Sequence, residues 1–259
     1  MISETYHLPT LLDYCLEAGA AILKIYQKED FSKITDFKAD NSPLTLADQE
    51  SHRIIAAQLK QDYPNLPLIS EEGKDIEYDT RKDWNRFWLL DPLDGTKEFI
   101  KRNGQFTINI ALIEEGHPIL GVIYVPVEDT FYYGTRDEGA FIKKGKHAAE
   151  KITVNHKKSD LIAVRSRSHA SQEEEELLSR YQVTDSISVG SSLKFCMVAS
   201  GKADIYYRHG PTMEWDTAAG QAIVEAAGGK VLKDQGPEPF TYNKKSLLNG
   251  SFLCLGFES

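Results

Sequence analysis

The chain has 259 residues, of which 41% are hydrophobic, and a formal net charge of −9. This length and apolar content suffice for one large domain or two packed halves. The excess of acidic side chains argues against binding of long nucleic acids, which depends on positive charge. We find neither a secretory signal nor a run approaching the roughly 20 apolar residues that a membrane-spanning helix needs.

The three cysteines, Cys15, Cys196 and Cys254, are far apart in the sequence, and no two of them form a C-x-x-C pair. Each lies among apolar neighbours, so we expect buried, reduced thiols in a cytoplasmic protein rather than a disulfide framework or a zinc site. No thiolate-activating residues surround them, so a catalytic cysteine is not expected.

The first half of the chain combines two helices with a series of strands. Apolar residues at helical spacing predict helices over residues 11–27 and 45–63. Short apolar runs predict four strands, the last three of them antiparallel, at residues 87–90, 106–113, 119–125 and 130–133. Residues 114–116, Glu-Glu-Gly, are typical of a hairpin turn.

The second half alternates between strands and helices. We predict strands at residues 161–166, 186–189, 203–207 and 252–255. We predict helices at residues 172–180, 193–201 and 217–227. A strand series followed by alternation indicates an α+β half joined to an α/β half. The polar segment 145–158 is the predicted boundary, which gives subdomains 1–150 and 151–259.

The hexapeptide Asp91-Pro92-Leu93-Asp94-Gly95-Thr96 follows a predicted buried strand. Its proline stiffens the backbone and its glycine permits a tight turn. Such a turn can direct Asp91, Asp94 and the carbonyl of Leu93 toward one point. Oxygen ligands of this kind suit Mg²⁺, which keeps some waters and takes other ligands from substrate phosphate. Backbone amides in the turn that follows can hold an anion.

Each acidic motif also has an ordinary structural interpretation. The hexapeptide alone could be a surface Asp-Pro turn with a capping aspartate. Glu71 and Glu72 follow an apolar run and could lie in a solvated turn. Asp216 precedes a series of small residues, where an aspartate is most often a helix N-cap.

The three motifs together resemble the signature of the inositol monophosphatase superfamily. They occur in the order Ser70-Glu71-Glu72, the hexapeptide, and Trp215-Asp216-Thr217-Ala218-Ala219-Gly220. Within the superfamily the chain most resembles bacterial 3′(2′),5′-bisphosphate nucleotidases of the CysQ type. Four further segments carry that resemblance: Lys97-Glu98, Asp40 to Thr45 with Asp48, Ser166 to His169, and Gly190 to Lys194.

The resemblance implies an αβαβα sandwich, an α/β fold of layered α+β type, with two subdomains and the metal site between them. It implies five ligands for two or three Mg²⁺ ions: the carboxylates of Glu71, Asp91, Asp94 and Asp216, and the carbonyl of Leu93. Thr96 and Asp48 are implied to orient a water molecule. Thr96 is not expected to attack the phosphate, because phosphoryl transfer mainly needs positioning and charge neutralisation.

The expected substrate contacts lie in the second half of the chain. Ser191 and Lys194 are three residues apart on a predicted helix and so share a face. With Arg208 they can form a small basic pocket for a second phosphate, and His169 can contact the ribose or base. Three residues of the metal motifs are also expected to contact substrate: Gly95, Thr96 and Asp216. The ordinary alternatives are a solvated Lys194 and a His169 that merely ends a strand.

The implied reaction is Mg²⁺-dependent hydrolysis of adenosine 3′,5′-bisphosphate to AMP and phosphate, with 3′-phosphoadenylyl sulfate as a second substrate. The resemblance also implies a role in sulfate assimilation, inhibition by Li⁺, and loose attachment to the inner face of the membrane. The sequence itself shows no amphipathic anchor. Two alternatives remain: an inositol monophosphatase or fructose bisphosphatase of the same fold, and a noncatalytic regulator that binds metal or nucleotide.

Overall fold

The computed structural model describes residues 6–27, 35–37, 43–165 and 172–257. Within these ranges the chain forms seven α-helices: α1 (Leu8–Tyr26), α2 (Leu46–Asp62), α3 (Tyr78–Arg81), α4 (Thr96–Ile100), α5 (Gln172–Arg180), α6 (Leu193–Ala199) and α7 (Glu214–Ala226). The first strands are β1 (Thr35–Phe37), β2 (Pro43–Thr45), β3 (Leu68–Ser70), β4 (Arg86–Asp94), β5 (Thr107–Glu114), β6 (His117–Val125), β7 (Thr130–Thr135), β8 (Gly139–Lys144) and β9 (Glu150–Ile152). The later strands are β10 (Leu161–Arg165), β11 (Val183–Ser188), β12 (Ile205–Arg208), β13 (Thr212–Met213), β14 (Lys230–Lys233), β15 (Leu248–Asn249) and β16 (Phe252–Leu255).

Two large sheets organise the described part of the chain. The larger sheet runs β3-β4-β5-β6-β7-β8-β9, and its neighbouring strands are antiparallel except for the parallel pair β3 and β4. The smaller sheet runs β11-β10-β12-β16-β14. In it, β10 is parallel to both neighbours, whereas β16 is antiparallel to β12 and β14.

Both faces of the larger sheet are covered by helices. On β4, Trp88 and Leu90 point into a core shared with α1 and α2. Phe87 and Leu89 alternate with them and point into a second core, which contains α6 and α7. Alternation of buried side chains to opposite faces explains why the strand is a nearly continuous apolar run.

The smaller sheet completes the layers. Val164 and Tyr206 join the core that holds α6 and α7. Ala163, Ile205 and their neighbours face the other way and pack on α5 through a third core. The layer order is therefore helix, sheet, helix, sheet, helix, and the predicted αβαβα sandwich is confirmed.

Helix α7 lies very close to the larger sheet, because glycine removes a side chain from the contact. A Cβ atom built on Gly121 would stand 2.3 Å from the carbonyl oxygen of Ala219 and 2.9 Å from the Cβ of Ala222. This close approach fixes the position of α7, whose first turn carries Asp216.

Most predicted elements are present with shifted ends. The α1 helix begins at Leu8, with Pro9 in its first turn, where a missing N–H is tolerated. The hairpin turn is confirmed, with positive φ at Glu115 and Gly116. The elements that were not predicted are mostly short: helices α3 and α4 and strands β1, β2, β3, β8, β9, β13, β14 and β15. Strand β9 lies inside the segment predicted as the boundary. The division at residue 150 stays a prediction.

The remaining predictions about the whole chain concern cysteines and membranes. All three cysteines are buried free thiols, as expected. Among the described residues, no helix combines the length and hydropathy that crossing a bilayer requires.

Candidate active site

The aspartates of the hexapeptide lie at the end of β4, where pairing with β5 becomes irregular. Asp91 is opposite Asn109 and Asp94 is opposite Thr107, and the register shifts between the two pairs. Gly95 then adopts a φ of 94°, a conformation that side chains disfavour, and α4 follows. The irregular strand end and the glycine together set the direction of both carboxylates.

Two other acidic residues approach from neighbouring elements. Because β3 is parallel to β4, Glu71 follows its strand at the same sheet end as Asp91, and its N–H donates to the carbonyl of Leu90 at 3.2 Å. Asp216 is the third residue of α7, and its Oδ2 accepts the N–H of Met213 at 2.8 Å. Asp216 is therefore not the N-cap, although it does accept the backbone N–H of the N-cap residue, Met213.

Helix α2 brings a fifth carboxylate to this region. Asp48 lies in the first turn of α2 and is buried. Three residues later, the hydroxyl of Ser51 donates to the carbonyl of Pro92 at 2.7 Å. This bond attaches α2 directly to the backbone of the hexapeptide.

The carboxylates of the site repel one another electrostatically. Burial raises the pKa of Asp91 well above its usual value, and Glu71, Asp94, Asp216 and Asp48 raise it further, in that order. Several negative charges in a low-dielectric region cost free energy unless protons or cations compensate them.

The pKa of Asp216 is shifted in the same direction. Burial is the largest cause, and the charges of Asp94 and Glu71 add to it. The amide of Met213 and the charge of Arg208 act in the opposite direction, but the net pKa is still well above the usual value.

The side chain of Asp94 is hydrogen-bonded to the two serines that precede α6. Its Oδ2 accepts hydrogen bonds from the Ser191 hydroxyl at 2.7 Å, the Ser192 hydroxyl at 2.7 Å and the Ser192 N–H at 2.6 Å. Among the described residues, no three His, Cys, Asp or Glu side chains form a preassembled metal-binding group.

The chemistry of the donor set nevertheless fits a hard divalent cation. All the predicted ligands, Glu71, Asp91, Leu93, Asp94 and Asp216, offer oxygen, which Mg²⁺ prefers. Burial and neighbouring negative charges raise the pKa of Asp91 and Asp216, which disfavours the ionised form of both carboxyl groups. A bound cation would stabilise the ionised carboxylates.

A pocket of about 170 Å³ opens beside Asp94 and Asp216. The predicted residues Ser191, Lys194 and Arg208 all line it. Seven residues that we did not predict as site residues also line it. Three of them are polar, Ser192, Thr212 and Thr217, and four give the pocket a partly apolar wall: Phe195, Tyr206, Pro211 and Phe252. The pocket therefore combines two basic groups with an apolar wall.

Lys194 is buried in this pocket, so the solvated alternative is wrong. Its ammonium group donates to the carbonyl of Ser191 at 2.8 Å and lies 5.6 Å from the centre of the Tyr206 ring. Burial lowers the pKa of Lys194 to about 8; the charge of Arg208 lowers it as well, while Asp94 and Glu98 oppose the shift.

The prediction that Ser191 and Lys194 share a helix face is wrong. Helix α6 begins at Leu193, and Ser191 precedes it with a φ of 54°. Hydrogen bonds to Asp94 hold Ser191 in this conformation, which local sequence does not favour. The two residues meet in the pocket all the same. His169 lies outside the described residues.

A model of the inositol monophosphatase family matches residues 8–254. The chain belongs to the inositol monophosphatase family. Its relatives include the 3′(2′),5′-bisphosphate nucleotidase CysQ of Escherichia coli strain K12, which is 47% identical over 238 residues, 91% of this chain and 94% of that protein. The CysQ of Haemophilus influenzae is 36% identical over 247 residues, 94% of this chain and 90% of that protein.

Solved structures of family members show the same fold. CysQ from Bacteroides thetaiotaomicron matches with a TM-score of 0.84 and 42% identity, and the match covers 96% of each chain. The suhB extragenic suppressor protein from Bartonella henselae matches with a TM-score of 0.76 and 25% identity, over 97% of this chain and 93% of that one.

Several residues that shape the site were not predicted from the sequence. Ser192 binds Asp94 through both its hydroxyl and its N–H. Thr107 and Asn109 are buried polar residues of β5 and reach the same group of atoms. Two polar side chains on one face of an otherwise apolar strand were a visible signal, because such groups need buried partners.

Proposed function

We propose that this chain is a Mg²⁺-dependent 3′(2′),5′-bisphosphate nucleotidase that hydrolyses adenosine 3′,5′-bisphosphate to AMP and phosphate. The observation that carries the proposal is the position of a pocket containing Lys194 and Arg208 directly beside a group of acidic side chains, of which Asp48 and Asp91 are buried. Relatives that carry the nucleotidase name at 36–47% identity support it.

The carboxylate group is proposed as the metal site. Glu71, Asp91, Asp94 and Asp216, with the carbonyl of Leu93, would hold two or three Mg²⁺ ions. When bound, the ions would neutralise phosphate charge and make a nearby water more acidic. The donor atoms are oxygens, and their mutual repulsion favours a cation between them.

The protein's own groups would position the attacking water. The hydroxyl of Thr96, at the start of α4, and the carboxylate of Asp48, in the first turn of α2, are proposed to orient it. No covalent enzyme intermediate is needed, since phosphoryl transfer depends mainly on alignment and charge neutralisation. Gly95, Thr96 and Asp216 are proposed to contact the phosphate that leaves.

The adjacent pocket is proposed to bind the phosphate that stays on the product. Lys194 and Arg208 supply positive charge, and Ser191 supplies a hydroxyl. Burial lowers the pKa of Lys194, which disfavours its charged form, and a bound phosphate would stabilise that form through a charge-assisted hydrogen bond. His169 is proposed to contact the ribose or base.

Substitution of Lys194 tests the substrate class. We expect Lys194→Ala to lower kcat/KM for adenosine 3′,5′-bisphosphate by roughly 10- to 100-fold, in line with loss of a charged hydrogen bond. A monophosphate that lacks the second phosphate should lose far less. Lys202→Ala removes an exposed lysine and serves as the matched control. Equal losses for both substrates would contradict the nucleotidase and favour an inositol monophosphatase.

The wider role follows from the same proposal. We include 3′-phosphoadenylyl sulfate as a second substrate, sulfate assimilation as the setting, and Li⁺ as an inhibitor that replaces one Mg²⁺. Placement in the cytoplasm, with loose contact to the inner membrane face, belongs to the proposal as well. A purified protein that releases no phosphate from any of these esters would favour the noncatalytic regulator.

A further inference from the structure

Strand β5 places two buried polar side chains opposite the aspartates of the hexapeptide. Thr107 is the cross-strand partner of Asp94, and Asn109 is the partner of Asp91. Thr107 and Asn109 are two residues apart, so they point to the same face of the sheet. Both are almost completely buried, and the Thr107 hydroxyl oxygen lies 2.9 Å from Asn109 Oδ1.

From this pair, hydrogen bonds reach the turn before α6. The Thr107 and Ser191 hydroxyls share a hydrogen bond of 2.7 Å. Asn109 Nδ2 donates to the Ser192 hydroxyl at 2.9 Å. That hydroxyl in turn contacts Asp94 Oδ2 at 2.7 Å and the carbonyl of Asp216 at 3.0 Å. The network thus spans β5, the end of β4 and the first turn of α7.

The turn that this network holds is conformationally strained. Ser191 has a φ of 54°, which a residue with a side chain adopts only when its surroundings enforce it. The carbonyl of this strained residue accepts the hydrogen bond from Lys194 Nζ. Any relaxation of Ser191 would therefore move the group that orients the buried ammonium.

We propose that Thr107 and Asn109 are positioning residues that hold the Ser191–Ser192 turn against Asp94 and thereby keep the Lys194 pocket aligned with the acidic cluster. The proposal rests on the proposed function, because it assigns the network to binding of the substrate's second phosphate. Thr107 acts through Ser191, and Asn109 acts through Ser192. Neither residue lines the pocket itself.

The test compares Thr107→Val with Thr107→Ser. Valine keeps the branched shape that suits the strand but lacks the hydroxyl, whereas serine keeps the hydroxyl. We expect Thr107→Val to raise KM for adenosine 3′,5′-bisphosphate roughly three- to tenfold, the effect of one lost hydrogen bond, and Thr107→Ser to stay near wild type. The matched control is Thr130→Val, a buried threonine whose hydroxyl donates to the carbonyl of Glu128.

A second readout does not depend on turnover or on metal. The Ser192 N–H donates to Asp94 Oδ2 at 2.6 Å, so its amide resonance in NMR reports the geometry of the turn. We expect this resonance to move in Thr107→Val and to stay in place in Thr107→Ser and Thr130→Val. A shift supports the network even if wild type hydrolyses a different phosphate ester.

A double-mutant cycle distinguishes loss of the Thr107–Ser191 hydrogen bond from a general loss of stability. Thr107→Val and Ser191→Ala remove the two partners of one hydrogen bond, so their effects on KM should be clearly non-additive. Fully additive effects would overturn the proposal. A wild-type Ser192 resonance together with a wild-type KM in Thr107→Val would overturn it as well.

Discussion

Lys194 is an unusual residue because a buried ammonium lies beside a second cation. Burial, with Arg208 nearby, lowers its pKa from 10.5 to about 8, despite the opposing charges of Asp94 and Glu98. A group with this pKa is mostly charged at pH 7 and mostly neutral at pH 9. The charge that is proposed to bind the second phosphate is therefore lost within an accessible pH range.

This shift predicts a specific pH dependence of binding. Affinity for adenosine 3′,5′-bisphosphate should fall about tenfold between pH 7 and pH 9, since a pKa near 8 reduces the protonated fraction by that factor. The phosphates contribute little to the change, because their second pKa lies near 6. Calorimetric titration of wild type and Lys194→Met over this range measures it. A fall of equal size in Lys194→Met would contradict the role of Lys194.

Sequence alone predicted the site best where residue type and local turn chemistry decide the outcome. The hexapeptide combines two acids, a proline and a glycine, and the structure places it at a strand end with positive φ at Gly95. Ser191 was misplaced on a helix because its backbone conformation depends on hydrogen bonds to Asp94, 97 residues away in sequence. Such non-local constraints leave no periodic signal.

At the scale of elements, the contact between β6 and α7 places Asp216. The helix carries Asp216 in its first turn, and Gly121 allows its backbone to approach the sheet. Helix α7 also separates the two sheets, because its apolar residues lie in the central core. A shift of α7 relative to the sheet should therefore change both the stability of the fold and the position of Asp216 in the site.

Gly121→Ala tests this contact. The added methyl group would meet the carbonyl oxygen of Ala219 at 2.3 Å, so α7 must move. We expect a loss of about 1–3 kcal/mol in the free energy of unfolding, as for other overpacked cores, and a lower kcat. Denaturant unfolding measures the stability.

Gly236→Ala provides the control, since its new Cβ would lie 3.6 Å from the nearest backbone oxygen, that of Lys233. Equal stability of Gly121→Ala and Gly236→Ala would contradict the importance of the close approach between α7 and the sheet for stability.

The strands differed in how clearly the sequence pattern predicted them. Strands β4 to β6 are long apolar runs buried on both faces, so they were readily predicted. Strands β3 and β9 have only three residues each, and half of β8 is polar or glycine, which leaves too little pattern to detect. The stacking of sheets and helices came from the family resemblance, because periodicity reports burial of a face but not the partner that buries it.

For the whole molecule, the buried carboxylates make folding and cation binding interdependent. Their mutual repulsion destabilises the folded chain when nothing neutralises it. A cation that binds only the folded state stabilises it by mass action. The acidic cluster connects β3, β4, α2 and α7, so the effect extends to most layers of the sandwich.

We therefore expect Mg²⁺ to raise the melting temperature. At a concentration of 100 Kd the gain is about 2.7 kcal/mol, which corresponds to roughly 5–10 °C for a chain of this size. Differential scanning calorimetry with a Mg²⁺ titration measures the shift. Asp94→Asn, which keeps the shape of the side chain but removes its charge, should show a clearly smaller response. An undiminished response in this variant would argue against Asp94 as a ligand.

Phosphate release from adenosine 3′,5′-bisphosphate, measured with Mg²⁺ and with EDTA, decides whether the chain is a metal-dependent nucleotidase. We expect release by wild type only with Mg²⁺, at a higher kcat/KM than for inositol 1-phosphate or fructose 1,6-bisphosphate. We also expect at least a roughly hundredfold lower rate for Asp94→Asn, as for loss of other fixed electrostatic groups. Release that persists in EDTA, or that Asp94→Asn leaves unchanged, would contradict a metal-dependent nucleotidase with Asp94 in its site.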